Sequence, residues 1–136
     1  MTERTAGDHN PTAPLQFQIP QETYEVLKSL ENGRLGNAYS KRVVRVSSSL
    51  DNLPGMAGEN VDLSGDKLYV YMRIRQANRF VEDDYAFTIN PEGTVVNLKS
   101  WQYGGHKDKK DLEPPSPELF MRELQAAQKI QPTLKR

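Results

Sequence analysis

Residues 66–103 read DKLYVYMRIRQANRFVEDDYAFTINPEGTVVNLKSWQY, and the periodicity of this stretch decides the fold. Leu68, Val70, Met72 and Ile74 alternate with Tyr69, Tyr71, Arg73 and Arg75. A period of two belongs to a strand with one apolar face. Gln76 to Arg79 then makes a turn, with Ala77-Asn78 at its tip. In the next run Val81, Asp83, Tyr85, Phe87 and Ile89 alternate with Glu82, Asp84, Ala86, Thr88 and Asn90; its acidic first half is expected to project beyond the core. Asn90-Pro91-Glu92-Gly93 is turn chemistry, because proline presets φ and glycine accepts a positive value. A third run sets Val96, Leu98 and Ser100 against Val95, Asn97, Lys99, Trp101 and Tyr103. Apolar residues fall on both sides of it, so its facing stays open, and a slip of one residue would reverse it.

Upstream, Leu15, Phe17 and Ile19 alternate with Gln16 and Gln18, which reads as a short strand closed by Pro20. Residues 21–32 read as a helix with Thr23, Val26, Leu27 and Leu30 in one stripe and Tyr24 beside it. Gly33 suits the left-handed position that ends such a helix. Residues 34–40 form a connection. In the strand at 41–50, Val44 and Val46 share one face, and Val43, Arg45 and Ser47 the other. Residues 51–65, DNLPGMAGENVDLSG, form a long loop, anchored by Leu53, Met56 and Val61 or else serving as a binding loop. Downstream, 104–115 reads as a charged linker. Ser116 caps a helix over 116–130 with Phe120, Leu124 and Ala127 in its stripe, packed on the domain or detachable from it. Residues 1–14 and 131–136 read as tails, the first disordered because it holds almost nothing to bury.

These elements predict an α+β domain over 15–103: an antiparallel meander of four to five strands, with an N-terminal helix on one face, followed by a C-terminal amphipathic helix. The order of one strand, one helix and four strands resembles the layout of cystatin-like folds. The resemblance covers 15–103, carries no inhibitor motif and implies nothing about activity.

Eighteen basic and eighteen acidic residues balance, which gives no global attraction to nucleic acid or to an anionic membrane. The chain lacks cysteine, so thiolate catalysis and disulfides are excluded. No apolar run suggests a signal peptide or a membrane span, and a soluble cytoplasmic protein is expected. His9 and His106 do not form a metal constellation. Ser47, Ser48 and Ser49 lack a nucleophile elbow and read as a hydroxyl-rich strand end. Gly104-Gly105 does not open a helix and so does not cradle phosphate. Glu82 and Asp84 share one strand face, where like charges can raise a pKa. Such a pair reads first as solvated.

The remaining constellation is Tyr69, Tyr71, Arg73 and Arg75 on one face of one strand, extended by Arg45 and Trp101. Tyrosine, tryptophan and arginine are the residue types of binding hot spots. The plainer alternative is a solvated face of cross-strand pairs with Glu82 or Asp84. The reading is a non-enzymatic protein-interaction module, an adaptor, assembly factor or regulatory subunit, with no cofactor. Its partner is another protein or a second copy of itself. The alternatives are a single-stranded nucleic-acid module on the same face, or a small-molecule binder whose pocket is lined by Tyr85, Trp101 and Tyr103.

Overall fold

The computed structural model describes residues 16–37, 40–56, 61, 63–75, 81–104, 107–129 and 132–133. The expected 1–14 tail, the turn at 76–79, both histidines and most of the 131–136 tail lie outside the described residues. In chain order the elements are β1 (Gln16–Gln18), α1 (Gln21–Ser29), β2 (Gly33–Leu35), β3 (Arg42–Ser47), a 3-10 turn (Leu50–Asn52), β4 (Leu68–Arg75), β5 (Val81–Ile89), β6 (Thr94–Gly104), β7 (Lys107–Asp111), α2 (Pro117–Gln128) and β8 (Pro132–Thr133). One antiparallel sheet runs β1-β6-β5-β4-β3-β2-β8, with β7 also paired to β6. The six strands β1 to β6 are its body; β7 and β8 add short edges.

The domain is α+β with two helices, as read, but the expected four to five strands undercount the sheet. Three segments account for the difference, one of them Pro132–Thr133 of the expected tail, which pairs with Leu35 and Arg34. Gly33–Leu35, read as the end of the helix and the start of a connection, pairs with Val44 to Val46. Lys107–Asp111, inside the expected linker, pairs with the end of β6. Five strands therefore separate α1 from β7, and the one-helix, four-strand order behind the cystatin-like resemblance does not hold.

One sheet face carries the main core. Val44, Val46, Leu68, Val70, Met72, Tyr85, Phe87, Ile89 and Val95 meet Tyr24 and Leu27 of α1 and Phe120, Leu124 and Ala127 of α2. In α1 the buried pair is Tyr24 and Leu27, with Thr23, Val26 and Leu30 half-buried, so the stripe is turned toward Tyr24. The helix stops at Ser29, and Asn32, not Gly33, takes the left-handed conformation at φ 64°. Asparagine tolerates that region better than other side chains. Its amide donates to Val46 O at 2.7 Å, which leaves Gly33 to begin β2. In α2 the Ser116 hydroxyl accepts from the Leu119 amide at 3.0 Å, the cap its sequence predicts. Glu123 of α2 is buried and ion-paired with Arg42 of β3, which fixes the helix to the sheet. No helix among the described residues is long and apolar enough to cross a membrane.

The two-sided third run has a definite cause. Phe87 pairs with Asn97, but Ala86 pairs with Lys99, so Leu98 is an extra residue in β6. Such a bulge reverses the facing of everything beyond it. Val95 and Asn97 lie toward the helices opposite Ile89 and Phe87; Lys99 and Trp101 lie on the opposite face, across from Ala86 and Asp84. Buried Asn97 plugs the bulge. Its Nδ2 donates to Ala86 O at 3.1 Å and Lys99 O at 3.2 Å, and its Oδ1 accepts from Ser100 Oγ at 3.0 Å. Asn97→Ala strips these bonds from buried groups. It is expected to cost about 2–3 kcal/mol in a denaturant titration, since each unsatisfied buried polar group is expensive.

Candidate functional site

The second sheet face is built from cross-strand rows. The first is Ser47, Tyr69, Thr88 and Val96; the second is Arg45, Tyr71, Ala86 and Lys99. The third is Val43, Arg73, Asp84 and Trp101; the fourth is Arg75, Glu82 and Tyr103. All six residues singled out in the sequence thus share one face, as the alternation requires. The face is not open over its length, however. Leu53 and Met56, from the loop after β3, form a second buried cluster with Tyr69, Tyr71, Ala86 and Trp101, with Leu50, Val61 and Leu98 at its margin. Tyr69, Tyr71 and Trp101 are consequently interior, Trp101 at 1% exposure. The expected solvent-facing aromatic row is covered by the chain's own residues 50–56.

This strap is held largely by its backbone. Arg45 Nη2 donates to Asn52 O at 3.2 Å, and Lys99 Nζ donates to Gly55 O at 3.0 Å. The Lys99 ammonium also stands 5.4 Å from the centre of the Trp101 ring, a cation–π arrangement. Gly55 has φ +77°, and a Cβ there would stand 2.4 Å from Trp101 Cζ2. Only glycine lets the backbone lie this close to the indole. Arg73 turns toward the β2–β3 connection, where Nη2 meets Asn37 O at 3.4 Å and Ser40 O at 3.3 Å.

In the third row, between Arg73 and Trp101, is a group that the sequence reads as solvated. Asp84 is 0% exposed. The Tyr71 hydroxyl donates to its Oδ1, while Oδ2 has no hydrogen-bond partner among the described residues. Burial pushes the Asp84 carboxyl up to about 7, against the Tyr71 hydrogen bond, which pulls it down; Glu82 adds to the rise. Burial and the bond to Asp84 also push the Tyr71 hydroxyl far up. Glu82 and Asp84 do share a face, but Glu82 lies 3.7 Å from Arg75 and Asp84 is enclosed, so they are not a solvated pair. Asp83 faces the other way and accepts from Gln102 Nε2 at 2.7 Å. The signal in the sequence was slight: an acid entering the apolar half of its strand, with tyrosine on the strand before it.

The fourth row stays open. Arg75 and Glu82 are half-buried, and Tyr103 is 47% exposed. At the other end of the sheet a cleft of about 340 Å³ is lined by Tyr24, Lys28, Glu31, Leu63, Asp66 and Tyr69 among others. Lys28 and Glu31 in it are ion-paired at 3.0 Å, which raises the lysine pKa. The residues proposed to line a helix–sheet pocket are not brought together: Tyr85 belongs to the helix-side core, Trp101 to the second face, and Tyr103 is exposed. Comparison with protein-family models, with curated proteins and with solved structures finds no match to the chain.

Proposed function

We propose that the chain is a non-enzymatic protein-interaction module, serving as an adaptor, assembly factor or regulatory subunit. It engages its partner through the open end of the second face. The observation that carries this reading is Tyr103, a large aromatic left 47% exposed in one row with the Arg75–Glu82 ion pair. Tyrosine and arginine supply broad contact area at low entropic cost and dominate many interfaces. Tyr69, Tyr71 and Trp101 are buried with Leu53 and Met56 and do not meet the partner. Phe120 and its neighbours in α2 are spent on the core, which leaves the sheet as the contact surface.

Affinity capture with the wild-type chain and with Tyr103→Ala tests the reading. Loss of an exposed tyrosine anchor is expected to weaken the complex by about 2 kcal/mol, roughly thirtyfold, with Tm essentially unchanged. Sedimentation of both proteins across a concentration series separates self-association from a foreign partner. A complex that forms equally well with Tyr103→Ala and with Arg75→Ala would remove the role of this row.

A further inference from the structure

We infer that the strap at residues 50–56 is a proton-gated cover: it closes over the second face while Asp84 is neutral and loosens when Asp84 ionises. The proposal concerns the chain alone and holds whether or not the Tyr103 row binds a partner.

Three observations meet at one place. Asp84 is completely enclosed, with Tyr71 its one hydrogen-bond donor and Oδ2 without a partner among the described residues. Its cross-strand neighbours on the same face are Arg73 and Trp101, and the Trp101 ring also packs against Tyr71 at a centroid distance of 6.2 Å. The strap rests on that ring through Gly55. Removing the strap and swinging the indole away are therefore what would bring water to the carboxyl. A carboxylate in an apolar enclosure is costly unless several donors meet it. An opening that hydrates the carboxylate is favoured by its ionisation, and closure is favoured by its protonation.

The charged groups around Asp84 do not cancel this bias. On β4, Tyr71 donates to the carboxylate and Arg73 attracts it; both favour ionisation. On β5, Glu82 and Asp83 oppose it. On β6, Lys99 donates to Gly55 O and stands over the Trp101 ring. On β3, Arg45 is committed to Asn52 O. Asp111 of β7 pairs in register with Trp101. On the strap, Asp51 is exposed. Burial outweighs the rest and leaves the closed-state carboxyl near 7, against an ordinary value of 3.8. The sign follows. A group raised in the closed state contributes closure that is fully present below its ordinary pKa and is lost as pH rises through its closed-state value. The window is pH 4 to 7, and within it the open-to-closed ratio rises by up to about tenfold per pH unit.

Amide hydrogen exchange on the full chain at pH 5, 6, 7 and 8, corrected for intrinsic rates, reads the minor open state directly. The Leu53 amide, bonded to Leu50 O at 3.0 Å, reports the strap. Its protection is expected to fall up to tenfold per unit to about pH 7 and then level. In Asp84→Asn it is expected to stay flat. In Tyr71→Phe, which loses the bond that favours the carboxylate, the levelling point is expected to move to higher pH. Matching profiles in wild type and Asp84→Asn would overturn the proposal. So would parallel loss at Val70 and Phe87 in the sheet centre, which would assign the linkage to global unfolding. If Asp84→Asn fails to fold, an unshifted levelling point in Tyr71→Phe overturns it.

Discussion

Gly55→Val is expected to lift the strap from the sheet, with the helix-side core left folded. A side chain at this position has two faults. Its Cβ falls 2.4 Å from Trp101 Cζ2 and 2.8 Å from Cη2, and the backbone φ is +77°. The indole is a rigid ring at 1% exposure and has nowhere to retreat. A β-branched residue forced to positive φ costs about 1–3 kcal/mol before the overlap is counted. The chain can bear that strain or release the strap. Release gives up the burial of Leu53 and Met56, about 1.5–3 kcal/mol each. It recovers part of this as backbone entropy. Release is therefore the cheaper response, and the net loss of stability is expected to be about 2–4 kcal/mol. The readout is unambiguous, because Trp101 is the chain's single tryptophan. Its emission should move to the red and become accessible to a neutral quencher, with the far-ultraviolet signal of the sheet retained. Emission at the wild-type wavelength with unchanged stability would show that the strap does not depend on the Gly55–indole contact.

The contrast between the two sheet faces explains what could be read in advance. Leu68, Val70, Met72 and Ile74 announce their face because four successive alternations leave one register that buries them. Phe120, Leu124 and Ala127 announce theirs by helical spacing behind a serine cap. The bulge at Leu98 is different. It is a single added residue whose effect is to place Val95 and Trp101 on opposite faces, and strict alternation puts them together. An apolar residue on each side of the run was its only trace. The Lys107–Asp111 strand has no apolar alternation at all, since it is a charged edge held by backbone bonds, and lysine-rich edges resist unwanted pairing. The strap was legible as a set of anchors, Leu53, Met56 and Val61, but not as a cover. What seats it is a contact between a glycine backbone and a distant indole, which no local pattern encodes. Asp84 follows from the same gap. With the strap unseen, the second face looks wet, and an acid in it looks solvated.

Phe120→Ala should be the most damaging substitution, because one ring joins three elements. Phe120 of α2 is fully buried and meets Phe87 of β5 at 4.9 Å and 79° and Phe17 of β1 at 5.4 Å and 65°, both edge-to-face. Truncating a buried phenylalanine costs about 3–5 kcal/mol in lost transfer energy and residual cavity. Each aromatic pair adds about 0.5–1.5 kcal/mol beyond area. The gaps cannot close easily, since Phe87 is pinned in the sheet centre between Val70 and Asn97. Domains of this size have only about 5–15 kcal/mol in total, so the variant should retain a minor fraction of its stability and melt roughly 10–25 °C lower. The loss should appear as a lower denaturant midpoint with an unchanged slope, because α2 and the sheet share one core and unfold together. A detachable arm would behave otherwise. Its truncation would cost under about 1 kcal/mol, and the helix would melt in a separate early transition. The Arg42–Glu123 ion pair also joins α2 to β3, and a helix free to leave would give it up.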